Sequence, residues 1–111
     1  MKKTDPIEIF QTIRAAIQPY AVLGLTNREN SDQTYDLWSE KNITVEGQPR
    51  NETFFASVSV VSERVTLRFG FNNALSTDSY QVSEIDDVLL GRIEDAVAAG
   101  YKEFKEKEWI A

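Results

Sequence analysis

The 111-residue sequence contains no histidine and no cysteine. Without imidazole, no side chain ordinarily titrates near neutral pH, and Ser-His-Asp or Cys-His nucleophile arrangements are excluded. Zinc, copper and iron–sulfur sites built from imidazole or thiolate go with them, as do disulfides. Glycine is scarce: the five glycines, at 24, 47, 70, 91 and 100, form neither a GxGxxG nor a P-loop pattern, so no phosphate cradle is written here. No window approaches the ~18 apolar residues that a membrane span needs. The stretch MKKTDPIEIF places Asp5, Pro6 and Glu8 where a secretory signal would carry its apolar region, so a cytoplasmic protein is expected. Positive charge is short as well. Twelve basic against eighteen acidic residues give a net charge of −6, whereas binding that works by neutralising phosphates needs a basic surplus. Neither nucleic acid nor membrane is an expected partner.

What is present reads as one domain over residues 1–111, with 41% hydrophobic and 27% charged residues, the range of an ordinary globular core. A first helix is predicted over residues 6–18: Asp5 caps it, Pro6 takes the first helical position, and Glu8 completes a capping pattern. Its apolar stripe is Ile7, Phe10, Ile13 and Ile17. Alternation over Tyr20–Leu25 predicts a strand, and a second is expected over Thr34–Lys41, which Ile43–Glu46 could extend. From Thr53 to Phe71, Phe54, Ala56, Val58 and Val60 alternate with Phe55, Ser57 and Ser59, then Val65, Leu67, Phe69 and Phe71 with Thr66 and Arg68. This is a hairpin with one apolar and one polar face. A loop over Asn72–Ser79 and a short strand at Tyr80–Val82 follow. A long helix begins near Asp86 or Asp87 and ends near Lys107, with Leu90, Ile93, Val97, Tyr101 and Phe104 on one stripe. The expected fold class is α+β: an antiparallel sheet of four to five strands, both helices on one face and the other face wet.

Two places could carry function. Carboxylates are the surviving reactive chemistry, and Asp86, Asp87, Glu94 and Asp95 are the candidate oxygen ligands for a hard cation. Eight acidic residues stand against Arg92, Lys102, Lys105 and Lys107 in residues 84–111, so most of the net charge lies there. Asp87 and Glu94, however, are about 10 Å apart along a helix axis, with Gly91 between them supplying no ligand. Helix-dipole matching explains much of the same pattern. The second place is the wet sheet face. With Tyr35 and Leu37 inward, Asp36, Trp38 and Glu40 point outward beside Phe55, Ser57, Ser59, Thr66 and Arg68. Trp38, Phe55 and Arg68 are therefore the candidate binding residues, tryptophan and arginine being enriched at contact hot spots. The alternatives are a Trp38 covered by the 46–53 loop, or an inverted strand register.

Several stretches resemble the YdhG-like family of small bacterial proteins: Leu37-Trp38 with Ser39-Glu40-Lys41-Asn42-Ile43, Phe54-Phe55-Ala56-Ser57-Val58, and Ile85-Asp86 leading to Gly100-Tyr101 and Trp109. Together they span residues 34–111. The resemblance implies a frataxin-like architecture and a role in handling iron through acidic oxygen ligands. Departing from that pattern, the first helix carries only Asp5 and Glu8 where an acidic ridge is expected, and the connection at 72–79 is short.

These features together predict a binding or adaptor domain and not an enzyme. It would use the open sheet face, with no catalytic residues and no cofactor. The alternative is an iron chaperone using the carboxylates of the last helix. An unidentified protein or small ligand is the expected partner, and a monomer or weak homodimer the expected state.

Overall fold

A computed structural model of the chain describes residues 3–45, 47–70 and 79–110. The expected strand end at Phe71 and most of the expected 72–79 loop lie outside these residues. Helix α1 (Pro6–Ile17) starts where the sequence places it, with the Asp5 carboxylate accepting from the Ile7 N–H at 2.9 Å. It buries Ile9, Phe10, Ile13 and Ile17. Ile7 is instead about half exposed, and Ile9 takes its place in the stripe.

The strand expected at Tyr20–Leu25 does not form. A 3₁₀ helix occupies Gln18–Val22. Pro19 fixes a helical φ at its start and Gly24, at φ +96°, breaks the chain away after it. Tyr20 packs its ring against Phe55 and Tyr101.

Six strands follow among the described residues: β1 (Thr34–Ser39), β2 (Ile43–Val45), β3 (Gln48–Arg50), β4 (Thr53–Val61), β5 (Arg64–Phe69) and β6 (Ser79–Val82). The main sheet is antiparallel with order β1-β4-β5-β6. Strands β2 and β3 form a separate hairpin turning at Gly47, so Ile43–Val45 does not extend β1. The β4–β5 turn, Ser62-Glu63, has positive φ at both residues, the twist that a two-residue hairpin needs. On the outer edge of β1, residues 26–30 run alongside: Thr26 and Trp38 exchange both backbone hydrogen bonds.

Helix α2 (Asp87–Glu106) is capped by Asp86, whose carboxylate accepts from the Leu89 N–H at 2.8 Å. Ile93, Ala96, Val97, Gly100 and Phe104 form its buried face. After α2, Glu108 adopts φ +60° and the Trp109 N–H returns to the Phe104 carbonyl at 2.8 Å, closing the last turn. The Ser39 hydroxyl donates to the Trp109 carbonyl and ties this end to β1. The core is the layer between helices and sheet, built from the α1 and α2 faces together with Tyr35, Leu37, Ala56, Val58, Val60, Val65, Leu67 and Phe69. Among the described residues, no helix covers the opposite face of the sheet.

Candidate functional site

The site is created by a break in the alternation of β4. Trp38 pairs with Phe54 while Leu37 pairs with Ala56, so Phe55 is an extra residue on β4. Such a bulge puts two successive side chains on one side of the sheet. Phe55 therefore turns inward beside Ala56, is 0% exposed, and meets Phe104 edge-on at 5.2 Å. Phe54 turns outward and packs on Trp38, centroids 5.1 Å apart. The expected binding triad is corrected accordingly: Trp38 and Arg68 lie on the outer face, but Phe55 belongs to the core and Phe54 stands in its position. Gly70 permits this. Its N–H donates to the Phe55 carbonyl at 2.9 Å, and a Cβ there would lie 2.0 Å from the Phe54 carbonyl oxygen. An isolated glycine in a strand pattern signals a bulge or close backbone approach, so Gly70, next to the Phe54-Phe55-Ala56 run, is the signal that locates it.

Trp38 is half-buried and held on three sides. Its indole N–H donates to Asp36 Oδ2 at 3.0 Å, the Arg28 guanidinium stacks over the ring at 4.6 Å, and Phe54 closes one edge. The other Asp36 oxygen accepts from the backbone N–H groups of Arg28 and Glu29 at 2.8 and 2.9 Å. Asp36 is only 8% exposed, and this set of donors is what allows its burial. Arg28 in turn bridges Glu52 at 2.7 Å and Glu40 at 3.1 Å. The Glu52 hydrogen bond chiefly, and then that of Glu40, hold its guanidinium protonated even above its ordinary range. These partners are 12 and 24 residues from Arg28, so no local pattern in the sequence announces them.

Below the aromatic pair the face is lined by hydroxyls. Asp36, Ser57 and Arg68 form one cross-strand row, and Thr34, Ser59 and Thr66 the next. Glu29, Asp36, Trp38, Phe54, Ser57 and Arg68 are among the residues that line a shallow concavity of about 470 Å³ on this face. Val61, 65% exposed, lies at its far end. Arg68 lies over the Phe54 ring at 5.8 Å.

The acidic candidates on α2 are arranged differently. Asp86 is engaged as the helix cap, and Asp87 sits in the first turn, where its charge suits the helix dipole. Glu94 lines a groove between α1 and α2 with Lys3, Glu8, Thr12 and Leu90, while Asp95 is exposed. Among the described residues, no group of three carboxylates is placed to hold a metal ion. No described helix is long and apolar enough to cross a membrane. Comparison of the chain with family models, with curated proteins and with solved structures returns no match.

Proposed function

We propose that this chain is a binding domain without catalytic activity, and that it engages its ligand or protein partner on the open sheet face around Trp38, Phe54 and Arg68. One observation carries this reading. An aromatic pair stands on the side of the sheet opposite α1 and α2, above a hydroxyl-lined concavity, and is locked in place by Asp36 and Arg28. Holding a large aromatic side chain in one orientation before contact lowers the ordering cost of binding. Asp36, Arg28 and Glu52 form a supporting layer that touches Trp38 or its neighbours and leaves Arg68 for contact.

The proposed setting is the cytoplasm, and the proposed working state is a monomer or weak homodimer with no bound cofactor. Chemical-shift mapping with small aromatic fragments tests the reading. Perturbations gathered on residues 34–38, 54–59 and 66–68 support it, and perturbations gathered in the α1–α2 groove count against it.

A further inference from the structure

Strand β5 carries two arginines on the open face. Its alternation puts Val65, Leu67 and Phe69 in the core and Arg64, Thr66 and Arg68 outward. Both arginines are exposed, and among the described residues neither has a carboxylate partner. In a chain of net charge −6, two guanidiniums without carboxylate partners on one strand form a local positive stripe. Arg28 marks the contrast, since two glutamates already neutralise it. Four residues of strand separate Arg64 from Arg68, about 13 Å at the usual rise. Ser57 and Ser59 lie opposite Arg68 and Thr66 and supply hydroxyls between them. At the Arg68 end the stripe meets Phe54 and Trp38. The acidic side chains on this face, Glu29 and the nearly buried Asp36, line the β1 side of the concavity, away from β5.

Resting on the open-face reading above, we infer that the occupant of this face is an extended acidic segment of a partner protein. Two carboxylates four residues apart would meet Arg68 and Arg64, and an aromatic residue two positions before the first, on the same face of the segment, would meet Phe54 and Trp38. Planar guanidiniums suit carboxylates through paired N–H donors, and an extended segment repeats at the spacing of the strand beneath it.

The test uses a capped heptapeptide with phenylalanine first, glutamate third and seventh, and serine at the four other positions, against the same peptide with glutamine for glutamate. Each is titrated into the ¹⁵N-labelled chain. The glutamate peptide is expected to shift the amides of Ser57, Thr66 and Arg68 and the Trp38 indole. It should bind roughly fivefold or more tighter than the glutamine peptide, with the difference shrinking as salt rises. Arg68→Gln should abolish that preference and Arg64→Gln reduce it, while Arg68→Lys keeps part of it. Both sites are exposed, and the dispersion of the same spectra reports that each variant is folded. Equal binding of the two peptides on this face overturns the acidic partner while leaving the open-face reading intact. No shift on this face from either peptide overturns both. Concentration-dependent shifts there without peptide assign the face to a second copy of the chain, and overturn the inference as well.

Discussion

The Asp36 carboxylate accepts the indole N–H of Trp38, two residues along the same strand, at 3.0 Å. Both side chains point to the outer face, where i and i+2 on a strand are neighbours, and the second Asp36 oxygen fastens the backbone of residues 28 and 29. One nearly buried carboxylate thus positions both the tryptophan and the loop that brings Arg28 over it.

Removing that carboxylate should be felt in stability and in Trp38 together. Asp36→Ala leaves the Arg28, Glu29 and Trp38 donors without their acceptor, a loss of about 1–3 kcal/mol. Asp36→Asn keeps one acceptor oxygen and should cost less. Urea unfolding measures the loss, and in a Trp109→Phe background the fluorescence of Trp38 should show greater access to quencher in Asp36→Ala. An unchanged midpoint and unchanged quenching would contradict the positioning role.

Two glycines should respond to alanine in opposite directions. At Gly70 the new methyl meets the Phe54 carbonyl at 2.0 Å, so the bulge must distort, at a cost of roughly 2–4 kcal/mol. At Gly91, inside α2, nothing lies within 4 Å of the new Cβ, and relief of the helix penalty should add about 0.5–1 kcal/mol. Thermal or urea denaturation of the two variants decides both.

Alkaline pH should weaken the fold through two tyrosines. Burial, with help from the Glu94 charge, raises Tyr20 above its ordinary value of 10.0. Burial likewise raises Tyr35, against the opposing pull of Arg14. A raised folded-state value means that the unfolded chain loses its protons first. Their stabilisation is then complete below pH 10 and is lost as pH climbs through the folded values. Stability should fall above pH 10 more steeply in the wild type than in Tyr20→Phe/Tyr35→Phe. Parallel slopes would show that the folded tyrosines titrate normally.

Iron offers a direct contrast between the two readings of the sequence. With Asp86 committed to the cap and Glu94 in the α1–α2 groove, anaerobic titration with ferrous iron is expected to give no saturable binding. Asp86→Asn should leave the helix intact, asparagine being an equally good cap. Saturable binding that disappears when Asp86, Asp87, Glu94 and Asp95 become amides would establish the iron-chaperone reading instead.

The helices were legible because each carries its own punctuation: Asp5-Pro6 opens α1, Asp86 opens α2, and the apolar spacing between is local information. The β4–β5 hairpin was legible for the same reason. What was not legible depended on a single inserted residue. Strict alternation through Phe54 and Phe55 reverses at the bulge, so the reading of Trp38 and Arg68 as outward agrees with the structure while that of Phe55 does not. The 20–25 strand failed differently. Alternating Ala21, Leu23 and Leu25 looked like period two, but Pro19 and Gly24 govern the backbone there, and Val22 ends 85% exposed. The Arg28–Glu40–Glu52 network lay beyond any local pattern because only the fold brings its members together.

Fragment mapping on the ¹⁵N-labelled chain, repeated with Ser57→Lys placing a long charged side chain at the centre of the concavity, tests the open-face role most directly. Aromatic fragments are expected to perturb Asp36, the Trp38 indole, Phe54, Ser57 and Arg68, and Ser57→Lys should abolish those shifts without unfolding the chain. Shifts that gather instead around Lys3, Glu8 and Glu94, or that persist unchanged in Ser57→Lys, would contradict it.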